Sequence, residues 1–328
     1  MNLRENAMAI LERRQPDYYF DLMDAIQLLP DPVSLLNCPP QDGKEHPDTW
    51  GTSYMWLPGA PGPHPHVTPE NAVIKDIQNW KAQLKVPSVK GLDWTQAKEV
   101  ADATDRNEKF VGVMFGGGLF ERSHHLMGMQ EALMAYIEYP EEMYELLGAI
   151  KEYKIAYIEE MARQVHPDII FYHDDWGSKQ NLFLSPELWR QVIKPHQKEI
   201  SEAIHDNGMI YMHHADCICQ PIVEDMVEIG IDIWQGAIAQ NDIVKIQRIT
   251  EGKLAMVGGI DGPAIDGDAV SDDRIRAEVR RAIDTYCPAG RFFPSIPNGV
   301  CFFPHNNEVY RDELAKYGRQ FAQEHPVP

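Results

Sequence analysis

Residues 168–213 decide the fold: Asp168-Ile169-Ile170-Phe171-Tyr172, then Pro186–Asp206 with helical spacing of its apolar residues, then Met209-Ile210-Tyr211-Met212-His213. Two short, β-branched and aromatic runs separated by a helix-length segment predict two parallel strands joined by a crossover helix. The same rhythm extends outward. Phe110–Phe115, Asp232–Trp234, Leu254–Val257 and Arg291–Pro294 read as further strands, and Met129–Tyr136, Pro140–Gln164 and Arg274–Tyr286 read as helices. Weaker strand candidates near Tyr18–Leu22 and Thr52–Trp56 bring the count to eight, which fits a closed (β/α)8 TIM barrel better than an open doubly wound sheet. No GxGxxG turn follows the first strand, so a dinucleotide-binding sheet loses support, and the lone Gly116-Gly117-Gly118 is weak evidence for phosphate binding.

Outside this rhythm, residues 1–15 read as an amphipathic helix with Leu3, Ala7, Ile10 and Leu11 on one face. Residues 30–87 carry dense proline and glycine with several aromatics, which predicts a structured, turn-rich insertion of the kind that forms a lid or binding wall. We therefore expect a single barrel domain over residues 1–328, carrying that helix and that insertion. The chain has 328 residues, 44% hydrophobic, enough for one large core. No stretch reaches the roughly 18 apolar residues of a membrane span, and the charged N-terminus lacks a signal peptide's apolar run, so a cytoplasmic protein is expected. With 30 basic against 50 acidic residues the formal charge is −20, which argues against a nucleic-acid partner. Five scattered cysteines suggest free thiols or metal ligands before disulfides.

Barrel active sites are built at the C-terminal ends of the strands. Those ends are rich in potential ligands: Glu121, His124 and His125; His173, Asp174, Asp175 and Trp176; His213, His214, Asp216, Cys217 and Cys219; Gln235; Asp261; Asn298, Cys301 and His305. In an extended chain His214 and Asp216 share a face. Two ligands at i and i+2 with a distant third make a three-ligand metal site with an open position. Cys301, after the last clear strand, is the expected third ligand, because closure of a barrel brings the late strands together. Any one of these residues alone is more readily a buried core histidine or a small apolar cysteine; together they favour a metal centre. His173, Asp174 and Asp175 are candidates for acid–base work or for orienting ligands, although either aspartate alone serves equally well as a helix or turn cap. Trp56 and Trp176, with Glu121, are candidates to line a substrate pocket.

These residues resemble the uroporphyrinogen decarboxylase superfamily. The resemblance lies in Arg4-Glu5-Asn6, Ala9-Ile10-Leu11 and Pro16-Asp17; in Leu184–Trp189, Lys194-Pro195-His196 and His205–Gly208; and in His214-x-Asp216 with Pro221-Ile222-Val223 and Glu228–Asp232. It spans nearly the whole chain and implies a TIM barrel. The haem-pathway decarboxylases of that superfamily use an arginine-rich N-terminal segment, whereas this chain has Tyr18-Tyr19-Phe20-Asp21. Its corrinoid-dependent methyltransferases hold zinc through a His-x-Cys pair and a later cysteine. Here His214 and Cys301 match, Asp216 stands where the middle cysteine is usual, and Cys217 is an alternative one residue out of register. Trp50-Gly51, His64–Glu70 and His173–Gly177 resemble the branch found in anaerobic O-demethylases, in which the barrel passes a methyl group from an aromatic methyl ether to a separate corrinoid protein. A carboxylate in place of a thiolate suits a metal that polarises an ether oxygen. A metal-independent decarboxylase, a methylamine or methylthiol donor, and a non-catalytic corrinoid-docking protein are the competing expectations.

Overall fold

Each apolar run expected as a strand between residues 110 and 294 forms one in the computed structural model, which describes residues 1–297 and 301–326. Ten strands occur among the described residues: β1 (Ile26–Leu28), β2 (Glu45–Pro47), β3 (Ser53–Met55), β4 (His64–Pro65), β5 (Phe110–Phe115), β6 (Ile169–His173), β7 (Ile210–His214), β8 (Ile233–Ala237), β9 (Ala255–Gly259) and β10 (Phe292–Ser295). Seven make one curled, all-parallel sheet in the order β1-β5-β6-β7-β8-β9-β10. Every residue of β8, β9 and β10 is buried. That is the signature of a sheet covered on both faces, with helices outside and packed side chains inside. The fold is therefore of the barrel type expected, with the strands in sequence order.

Helix Pro140–Val165 shows how the outer layer is held. Proline stands at its start, where no intrahelical N–H is needed. Met143, Leu146, Leu147, Ile150, Tyr157, Ile158, Met161 and Val165 bury one face at helical spacing, and the helix stops at left-handed His166. The segment Pro186–Asp206 is two helices, Pro186–Val192 and Lys194–Asp206, because Pro195 cannot donate into a continuous ladder.

The first two strand candidates differ from expectation. Residues 18–22 form no strand: Asp21 accepts from the Met23 N–H at 3.0 Å and caps a short 3₁₀ turn, so β1 starts only at Ile26. The run near 52–56 does extend, as β3, but it pairs antiparallel with β2 and β4 in a separate three-stranded sheet within the insertion. The main sheet thus has seven described strands, not eight. The segment before β1 reaches the last strand through side chains: the Ser295 hydroxyl donates to Asp21 Oδ2 at 2.6 Å, and the Phe20 and Phe293 rings lie 5.9 Å apart. The N-terminal helix is Leu3–Leu11, shorter than read, opened by a capping box between Asn2 and Glu5. No described helix is long and apolar enough to cross a membrane.

Candidate metal centre at the barrel mouth

Strand register brings the site together. His173 at the end of β6 pairs with His214 at the end of β7, and His214 pairs with Gln235 in β8. Side chains on one register row of a parallel sheet project side by side, and the two imidazoles stack 4.4 Å apart at 21°. Asp175, two residues past His173, completes a group in which one ligand atom from each of His173, Asp175 and His214 lies within 4.8 Å of the others. The cluster opens into a cavity of about 390 Å³ at the C-terminal face, walled by Met23, Met114, Phe171 and Pro297. Beside it, sharing Pro297, is a cavity of about 470 Å³ lined largely by Ile238, Ile260, Ile296 and Phe302.

The hydrogen bonds fix which histidine nitrogen faces the cluster. Gln235 Nε2 donates to the Pro297 carbonyl at 3.1 Å, which turns Gln235 Oε1 toward His214 Nδ1. That nitrogen therefore carries the proton, and Nε2 keeps its lone pair. His173 Nδ1 is 3.0 Å from Glu121 Oε2, so the proton that a metal would displace from this imidazole is the one on Nε2. An oxygen acceptor behind each ligating imidazole is the usual support of a metal site. Burial disfavours charge on His173, but the Glu121 hydrogen bond and carboxylate outweigh it and push the imidazole up to about 9. Burial and the neighbouring His173 push His214 down to about 4, and burial with the Glu121 charge pushes Asp175 up to about 6. Two imidazole nitrogens and one carboxylate oxygen at an open cavity match a three-ligand zinc site with a free position. The residues present fit the metal that the sequence suggested.

Among the described residues, the group brought together is not the set expected. Asp216 lies on the rim of the same cavity, but its carboxylate pairs with Lys179 Nζ at 2.6 Å and it stands outside the cluster. β7 ends at His214, so the alternation that aligned Asp216 with it does not continue. Cys301 is also outside the cluster: it is buried near Asp266, its N–H 3.5 Å from Asn307 Oδ1, and burial pushes its thiol up to about 11. Cys217 turns into the core, its Sγ 3.4 Å from that of Cys219. Asn298 lies outside the described residues.

Three further candidates serve the fold. Asp174 is fully buried and accepts from the Phe120 N–H at 3.1 Å, the Glu121 N–H at 2.9 Å and Trp176 Nε1 at 2.9 Å. It closes the N-terminus of helix Leu119–Met127 and does not face the cavity. Gly118 is required beside it, since a Cβ there would lie 2.2 Å from Asp174 Cβ. Trp176 is 1% exposed, stacked 4.0 Å from His213, and lines no described substrate cavity. Trp56 closes a turn of the insertion by donating to the Ala60 carbonyl at 2.9 Å. Glu121, expected to line a substrate pocket, hydrogen-bonds His173. The sequence marks Gln235 only as one strand-end polar residue among many; its register opposite His214 reveals its part.

We expect Glu121→Gln to keep the fold and lower zinc affinity about 10- to 100-fold, the usual effect of losing such a supporting carboxylate, as read by competition with a chromogenic chelator.

The family model of uroporphyrinogen decarboxylase (URO-D) matches residues 59–295. No curated protein sequence matches the chain. Among solved structures, a methyltransferase from Methanosarcina mazei superposes with a TM-score of 0.68 at 15% identity, covering 97% of this chain and 99% of that one. A GH10 endo-β-1,4-xylanase from Gloeophyllum trabeum aligns at TM-score 0.43 and 6% identity over 69% of this chain and 82% of that one.

Proposed function

The chain belongs to the uroporphyrinogen decarboxylase family, and from that premise we propose that it is a zinc-dependent methyltransferase. Its donor is a small methylated compound, in our reading an aromatic methyl ether, and its acceptor the cobalt of a corrinoid carried by a separate protein. The observation that carries the proposal is the paired support of two imidazoles, Glu121 behind His173 and Gln235 behind His214, with Asp175 beside them at an open barrel mouth. The whole-length likeness to a methyltransferase fold is consistent with it.

His173, Asp175 and His214 would hold the zinc. When bound, the metal supplies Lewis acidity toward the ether oxygen and so lowers the cost of expelling a phenolate. The chain's own share is positional. Glu121 and Gln235 fix the imidazole tautomers, the Lys179–Asp216 pair sets the charge at the rim, and the neighbouring apolar cavity takes the body of the donor against Ile238, Ile260 and Phe302. The nucleophile belongs to the corrinoid.

Zinc uptake has a defined proton cost. With His173 charged below about 9, His214 neutral above about 4 and Asp175 ionised above about 6, binding between pH 6 and 9 must release one proton, from His173 Nε2. We expect the zinc association constant to rise about tenfold per pH unit across that window and to level off above it. A pH-independent constant overturns the assignment of His173 as a ligand.

The function itself is tested by metal analysis of the purified protein and a methyl-donor screen with a reduced corrinoid protein. One zinc per chain and demethylation of methoxylated aromatics support it. Iron in place of zinc, which the two-histidine–one-carboxylate set also suits, or decarboxylation by metal-free protein overturns it.

A further inference from the structure

A third cavity, of about 350 Å³, lies between the insertion and the β5 side of the barrel, with Arg122 and Lys154 in its wall. Both are buried, Arg122 to 7% exposure and Lys154 to 2%. In a chain of formal charge −20, two adjacent buried cations are an unusual arrangement. Arg122 Nη1 pairs with Asp48 Oδ2 at 2.7 Å, but its Nε has no partner. Lys154 Nζ donates to the carbonyls of Gly116 at 3.0 Å and Gly117 at 2.6 Å, and no carboxylate pairs with it among the described residues. Burial and the Arg122 charge push that ammonium down to about 7.

The acids of the same wall are already committed. Asp48 Oδ1 accepts from the N–H groups of Trp50 and Thr52, and Asp31 caps helix Pro32–Asn37 and takes the Tyr157 hydroxyl. The Tyr153 hydroxyl also lines the cavity and has no hydrogen-bond partner among the described residues. Aromatic surface surrounds these donors: the Trp50 ring lies 5.1 Å from the Arg122 guanidinium carbon and 4.9 Å from the Tyr153 ring.

We propose that this cavity is a binding site for a small organic monocarboxylate. The carboxylate lies between the planar donors of Arg122 and the Tyr153 hydroxyl, and the apolar body lies against Trp50 and Tyr54. A guanidinium whose Nε lacks a partner matches a carboxylate oxygen, and an aromatic enclosure of this size accepts a single ring. A dianion such as phosphate would set two charges against Asp31 and Asp48, so a monoanion fits better. The site is separate from the metal cluster, although Arg122 directly follows Glu121 on one helix.

Isothermal titration of the full chain with sodium benzoate, and in parallel with inorganic phosphate, tests this. We expect one benzoate per chain, weakened about tenfold by Tyr153→Phe and at least as much by Arg122→Lys, with binding intact in His214→Ala. Tyr153→Phe removes one hydroxyl only, so it reports on binding even where Arg122→Lys unsettles the fold. Absence of benzoate binding, wild-type affinity in both wall variants, loss of binding in His214→Ala, or tighter binding of phosphate overturns the proposal.

Discussion

Replacing His214 with alanine is expected to strip the protein of metal and abolish methyl transfer while leaving the fold in place. His214 ends its strand at a cavity and is only partly buried, so truncation there removes a ligand without opening the core. Its imidazole is one of three donors within 4.8 Å, and two remaining donors make a poor zinc site. Affinity should fall by more than the roughly 100-fold that loss of a supporting residue costs, and purified protein should carry near-zero zinc. The informative controls are Asp216→Ala and Cys301→Ala. The sequence pattern made both of them ligands, whereas the cluster of His173, Asp175 and His214 predicts full metal content in each. Metal lost in Cys301→Ala and kept in His214→Ala would sink the site.

The second large effect is on stability. Asp174→Ala should destabilise the chain by about 3–5 kcal/mol, because two backbone N–H groups and the Trp176 indole N–H lose one buried acceptor together. That is a substantial part of the stability of an ordinary domain, and urea unfolding would read it directly. Trp176→Phe removes only one of the three donors and should cost roughly 1–2 kcal/mol. A loss below about 1 kcal/mol for Asp174→Ala would mean that water or a rearranged helix start replaces the carboxylate.

How far the site was legible follows from these same residues. Strands β5 to β10 announce themselves because both faces are buried, so nearly every position is apolar and the runs stand out between helical segments. Three-residue β1 does not: the aspartate turn before it delays the strand, and aromatic residues 18–20 imitate one. His173, Asp175 and His214 were visible as strand-end polar residues, but their grouping depends on register, which places His173 opposite His214. Asp216 lies two residues past the last ladder position, His214, where the alternation that aligned the two no longer holds. Cys301 follows residues 298–300, which lie outside the described residues, and no periodicity in the sequence places it. Asp174 and Asp175 are adjacent and chemically identical, yet one faces a helix start and the other the cavity. Only the turn after β6 tells them apart.

The contact between β10 and the segment before β1 has a mechanical consequence. Side chains of Asp21, Phe20, Ser295 and Phe293 make it, and no backbone ladder links β1 to β10 among the described residues, so local opening is expected there first. The three strands that bear the metal-binding groups and Gln235 are the middle ones of the seven, as far from that stitch as the order allows and braced by ladders on both sides. Opening at that contact is therefore expected to leave the spacing of the three donors unchanged.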